Sequence, residues 1–181
     1  MYKILIKIYF KILQTYWNIF VKLHLKLLGV KIGKNVRFIN FPIVDLGKNS
    51  EIIIGDNSVL ISDSRFTALG VNHPVILKTS SNAKLLIGND TGISGATIYA
   101  NKKITIGKEC LIGGDVKIFD TNFHSLKKEN RRYNKDEKDI RSKEIFIEDN
   151  CFIGTNSIIL KGSFIKHNSI IPAGSVIREL K

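Results

Sequence analysis

The stretch Ile147–Leu180, IEDNCF-IGTNSI-ILKGSF-IKHNSI-IPAGSV-IREL, falls into consecutive sixes. Ile147, Ile153, Ile159, Ile165, Ile171 and Ile177 hold the first place. Cys151, Ser157, Ser163, Ser169 and Ser175 hold the fifth, and Asn150, Asn156, Gly162, Asn168 and Gly174 the fourth. A period of six is not the 3.6 of a helix, but it contains the strand period of two. It predicts a short flat strand followed by a corner, with three strands to each coil of a triangular parallel β-helix. The isoleucines point inward and stack from coil to coil. Small fifth residues fill the inside of each corner, and Asn or Gly at the fourth place accepts the left-handed backbone that a corner requires. Spacing alone leaves the hand of the coil open, and the general rule for parallel crossovers favours a right-handed one.

The same grammar runs upstream through IGKECL and IGGDVK (Ile106, Ile112, then Ile118), IGNDTG and ISGATI (Ile87, Ile93), IGKNVR (Ile32) and IGDNSV (Ile54). Gly33, Gly55, Gly88, Gly107, Gly113 and Gly154, each directly behind an isoleucine, permit close approach of neighbouring coils. Between Ile32 and Ile87 the register loosens; Gly70, Pro74 and a run of Ser and Asn predict protruding turns or an irregular coil. Cys110 and Cys151 stand at the small fifth place, so they read as filling. Two cysteines so spaced make neither a disulfide framework nor a zinc site, and a reducing cytosol is the simplest compartment. With 181 residues, 44% of them hydrophobic, the chain has room for one domain, residues 30–181, behind an N-terminal helix over 1–29. The all-β class therefore carries one amphipathic helix and one protruding loop.

The formal net charge of +12 suits nucleic acid, anionic lipid or a phosphorylated ligand, so its location matters more than its sum. Residues 1–30 hold five lysines and no acidic residue. Lys3, Lys7, Lys11, Gln14, Asn18 and Lys22 fall within about 100° of a helical wheel, leaving a broad apolar face. A secretory signal is not expected, because lysines interrupt the apolar run and no small-residue cleavage site follows. A spanning helix is not expected either, since the longest uncharged run, Ile12 to Val21, is far short of about 20 residues. Two readings stand side by side. The helix packs its apolar face on the coil or an oligomer partner and covers the first coil. Alternatively, residues 1–27 lie on an anionic membrane, with Tyr9, Tyr16 and Trp17 as interfacial anchors.

After Ile118 the next isoleucine in phase is Ile147, 29 residues on, which breaks the count of six. The excess lies in residues 124–144; from Lys127 to Glu144 there are eight basic and five acidic residues, so the segment leaves the coil as a loop. His124 stands at its root. A neutral imidazole beside a hydroxyl serves as general base near neutral pH without a metal, and Asp120 is placed to orient it.

Hexads, loop and histidine together resemble the left-handed β-helix acyltransferases, specifically the hexapeptide-repeat O-acetyltransferases of bacterial surface polysaccharides related to the maltose and galactoside acetyltransferases. The resemblance covers about Ile32 to Ile177 and is carried by ISGATIYANKKITIGKECLIGGDVKIFDTNFH and by IEDNCFIGTNSIILKGSFIKHNSIIPAGSVI. It implies a left-handed coil, a homotrimer, and acetyl-CoA as co-substrate in the groove between subunits, with no metal and no acyl-enzyme. It implies that His124 is the base and that Tyr99, Asn101 and Asn122 contact a glycan or lipid-linked sugar acceptor. Phe152, Thr155, Ala173, Gly174 and Gly162 match positions along the coenzyme. After AGSV many relatives carry a Thr-Lys-like pair and a G-x-P-A tail, whereas here Arg178 and Glu179 follow, so phosphate contacts fall to Lys161, Lys166, Arg178 or Lys181. The implied location is cytoplasmic, or peripheral on the inner face of the cytoplasmic membrane.

Three other functions meet the residues less well. A metal-dependent carbonic anhydrase of this fold needs close-set histidines, whereas His73, His124 and His167 are 51 and 43 residues apart. Nucleic-acid binding needs charge gathered on one face with stacking aromatics, whereas here it divides between helix and loop. A non-catalytic scaffold at the membrane would bind no acetyl-CoA. Among acetyltransferases, a small-molecule acceptor competes with a glycan.

Overall fold

A computed structural model describes residues 2–133 and 136–179. The chain winds six times around a prism whose three faces are six-stranded sheets. The first sheet holds Lys31–Ile32, Glu51–Ile54, Lys84–Ile87, Lys103–Ile106, Ile145–Ile147 and Phe164–Ile165. The second holds Arg37–Ile39, Val59–Ile61, Gly92–Ser94, Leu111–Ile112, Phe152–Ile153 and Ile170–Ile171. The third holds Ile43–Leu46, Ile76–Thr79, Thr97–Ala100, Lys117–Phe119, Ile158–Leu160 and Val176–Ile177. Pairing is parallel throughout, and the hexad isoleucines stack in register: Ile93, Ile112 and Ile153 on one face, Ile98, Ile118 and Ile159 on another. These side chains are buried and form one continuous core.

The corners behave as the hexad predicts. Asn150, Asn156, Gly162, Asn168 and Gly174 all adopt positive φ, between 56° and 77°. Behind the isoleucines the coils touch backbone to backbone, and a Cβ on Gly88 would lie 2.5 Å from the carbonyl of Gly107. Cys110 and Cys151 are buried and unpaired. Burial pushes the Cys110 thiol up to about 11, so it stays protonated and unreactive near neutral pH.

Two excursions leave the prism. The looser register expected across Ile32 to Ile87 is confined to residues 62–75; the coils around it are regular. That loop holds a single 3₁₀ turn, Ser64–Phe66, with the Asp63 side chain accepting the Arg65 N–H. It is pinned by Asn72, whose backbone N–H and side-chain amide donate to the two oxygens of Asp115 at 2.9 and 2.6 Å. The second excursion, 121–144, carries the candidate site.

The helix Tyr2–Leu27 lies against the strand Arg37–Ile39 of the first coil. Val21 and Leu25 are fully buried there, Trp17 meets Phe41 edge-on at 5.4 Å, and Asn18 Oδ1 accepts the Phe38 N–H at 2.9 Å. This overturns the expectation that the broad apolar face packs on the coil. The side turned inward is that of the narrow polar stripe, because no coil precedes the first one and its Phe38 N–H needs a polar acceptor. The broad face, with Tyr16, Ile19, Phe20, Leu23 and Leu27, is exposed. No helix among the described residues is long and apolar enough to cross a membrane. The side chain of Tyr9 and all of Lys181 lie outside the described residues.

Candidate active site

The strand Lys117–Phe119 ends at Asp120, and the loop begins there. Both of its roots are tied down: Lys143 N–H donates to Asp120 O at 2.9 Å, Asn122 N–H to Arg141 O at 3.1 Å, and Gly162 N–H to Lys143 O at 3.0 Å. Asn101 Nδ2 adds a bond to Ser142 Oγ at 2.8 Å. His124 N–H donates to the carbonyl of Asn122, two residues back, at 2.7 Å. Phe123 between them has φ 61°, which makes a γ-turn with a bulky aromatic residue in the left-handed region. Such strain persists only where surrounding contacts impose it. Here they are the rings of Tyr99 at 4.9 Å and Phe119 at 5.4 Å. The turn presents His124 exposed, with no hydrogen bond from its ring to a described residue.

Asp120 does not orient that imidazole. It is fully buried, and its two oxygens accept the N–H groups of Asn101 at 2.6 Å and of Lys102 and Lys103 at 2.8 Å each. Burial raises its carboxyl above the ordinary aspartate value, while those three donors pull the other way. Its task is to hold the 100–103 corner, and with it Asn101. Asn101 in turn accepts from Ser80 Oγ at 2.7 Å, and the Ser80 hydroxyl also meets Tyr99 Oη at 2.9 Å. Asn122 Nδ2 is enclosed and has no partner among the described residues, a costly state for a donor that an acceptor atom of a ligand or water would relieve.

A cavity of about 1540 Å³ opens between this loop and the edge where the chain passes from the third sheet to the first. Tyr99, Asn101, Lys161 and Arg178 line it together, whereas His124, next in the chain to the lining Phe123, does not. Gly162 stands on the same edge, beside Lys143 and Glu179. The remaining expected residues are elsewhere. Phe152 is exposed on the second sheet, in register between Leu111 and Ile170. Thr155, Ala173 and Gly174 form the corner that leaves that sheet, with Thr155 Oγ1 donating to Gly114 O at 2.6 Å. Within one protomer the expected coenzyme residues therefore fall on two edges of the prism. Ser80, Lys102, Arg141 and Ser142 also line the cavity. Sequence reasoning missed them because Ser80 sits between regular repeats and the others carry no motif.

The repeat itself is matched by a family model described as hexapeptide repeat of succinyl-transferase, over residues 144–179. Residues 144–179 are thus hexapeptide repeats of that kind. The chain's architecture is the left-handed β-helix of such repeats. The β-helix is 34% identical over 95 residues to a galactoside O-acetyltransferase of Lactococcus lactis, a match covering 46% of this chain and 42% of that one. The aligned part is thus less than half of that relative's length. Among solved structures, a variant of AntD, an N-acyltransferase from Bacillus cereus crystallised with dTDP-4-amino-4,6-dideoxyglucose and coenzyme A, aligns with a TM-score of 0.63 at 16% identity. That alignment covers 87% of this chain and 78% of AntD. The polysialic acid O-acetyltransferase OatWY aligns with a TM-score of 0.49 at 21% identity, over 82% of this chain and 78% of its own.

Proposed function

We propose that this protein is an O-acetyltransferase that moves an acetyl group from acetyl-CoA to a sugar hydroxyl of a bacterial surface glycan or its precursor, with His124 as general base. The observation that carries the reading is an exposed imidazole with no partner among the described residues, on a strained and aromatically buttressed turn next to a cavity of about 1540 Å³. The imidazole accepts the hydroxyl proton as the sugar oxygen attacks the thioester carbonyl. The tetrahedral adduct then expels the thiolate, the carbon–sulfur bond breaks, and the imidazolium returns the proton to sulfur. No covalent bond to the protein forms.

The two-edge distribution of residues supports a homotrimer, in which a second subunit brings the two sets together. Phe152, Thr155, Ala173 and Gly174 of one protomer would line the pantetheine while His124, Tyr99, Asn101 and Asn122 of its neighbour hold the acceptor. The exposed ladder Leu111–Phe152–Ile170 gives the subunits an apolar surface to share. Gly162, Lys161 and Arg178 stand on the acceptor-bearing edge. The exposed apolar face of the helix, with Tyr16, Ile19, Phe20 and Leu23, supports the reading that residues 1–27 rest on a membrane where lipid-linked glycans are made. His124→Ala should leave acetyl-CoA binding intact and lower kcat by roughly 10²–10⁴-fold. An alanine variant turning over at the native rate in a coenzyme A release assay would refute the assignment.

A further inference from the structure

Six basic side chains, Lys102, Lys138, Arg141, Lys143, Lys161 and Arg178, line the cavity beneath the loop, against two acidic ones, Asp45 and Glu179. Both carboxylates are already engaged, Glu179 with Lys143 and Asp45 with Lys78 at 3.8 Å. Lys102, Arg141, Lys161 and Arg178 have no acidic partner among the described residues. They approach from three separate segments: the 100–103 corner, the returning arm of the loop, and the corners of the last two coils. On one side of them the Tyr99 and Phe123 rings, tilted 57° to each other, supply an apolar wall beside the charges. A concave site with one sign of uncompensated charge concentrates the opposite sign within it.

We propose that this cavity binds an acceptor bearing several negative charges along an extended carbohydrate. The charges come either from carboxylates repeated along a glycan or from the diphosphate of an activated or lipid-linked sugar. The name acceptor rests on the acetyltransferase reading above; the binding itself does not.

The test is isothermal titration without acetyl-CoA, using three probes: an α2,8-linked sialic acid hexamer, UDP-N-acetylglucosamine, and the neutral maltohexaose. At least one anionic probe should bind roughly tenfold tighter than maltohexaose and lose that advantage in Lys102→Ala/Arg141→Ala. The charge-keeping Lys102→Arg/Arg141→Lys should recover it, which separates charge from folding. Preference for the hexamer assigns glycan carboxylates, and preference for the nucleotide sugar assigns a diphosphate. Equal binding of neutral and charged probes, no binding of either anionic one, or an unaffected alanine variant overturns the proposal. So does loss of acetyl-CoA binding in that variant, which would make the cavity the coenzyme's own. His124-dependent acetylation of a neutral sugar with no charge preference would leave the enzymatic reading standing while this one falls.

Discussion

At the scale of single residues, backbone geometry and buried hydrogen bonds decide what the side chains near the loop can do. Phe123 occupies a conformation that costs a bulky L-residue about 1–2 kcal/mol, and its ring contacts with Tyr99 and Phe119 hold it there. The backbone at His124 is consequently held at a defined place, which the proposed role as base requires. Asp120 illustrates the opposite role, a titratable group consumed by structure. Its folded pKa is raised by burial, so the stability it contributes is fully present below the ordinary value of 3.8 and is lost as pH rises through the raised one. Asp120→Asn keeps one acceptor but turns an NH₂ toward N–H donors, which costs about 1–3 kcal/mol. The native-minus-Asn difference in unfolding free energy should be largest in acid and shrink as pH rises, measured by urea midpoints across a pH series. A constant difference would mean that the carboxyl keeps its ordinary value. The pairing of Asp120 with His124 looked plausible in the sequence because they are four residues apart, but the three N–H groups that claim the carboxylate come from a coil wound almost twenty residues earlier.

At the scale of elements, the hexad is legible because each of its places answers a separate steric demand. The fourth-place residues take positive φ, the fifth-place side chains fill corners, and the glycines behind the isoleucines let coils meet without a side chain between them. Not every glycine is equally constrained. A Cβ on Gly88 would fall 2.5 Å from backbone atoms of Gly107, whereas one on Gly114 would meet nothing nearer than 3.4 Å. Gly88→Ala should therefore cost about 1–3 kcal/mol or more through forced separation of coils. Gly114→Ala should be close to neutral. At about 2–4 °C for each kcal/mol in a chain of this size, calorimetry separates the two. Equal melting temperatures would show that the coils can part freely at Gly88. The loops were legible only as interruptions of the count, since nothing in their composition tells which carbonyl or hydroxyl will anchor them.

For the whole molecule, the prism turns repeats into edges, and its helix leaves one face uncovered. Phe20 and Leu23 are exposed on the broad apolar side, while Val21 is fully buried against the coil. Phe20→Glu/Leu23→Glu should keep the native melting temperature but abolish flotation with vesicles containing anionic lipid; Val21→Glu should lower stability instead. Undiminished flotation of the double variant would assign the helix to covering the coil alone. The sequence by itself determined the parallel coil, its corners, the inward isoleucines, the inert cysteines and the site of the break, because a repeat of six imposes the same local sterics at every turn. Only the tertiary structure decided which side of the helix meets the prism, where the Asp120 carboxylate is spent, and which basic residues share a cavity. Those outcomes depend on groups brought together from distant coils, where an unsatisfied N–H or an uncompensated charge is settled by whatever the winding places beside it.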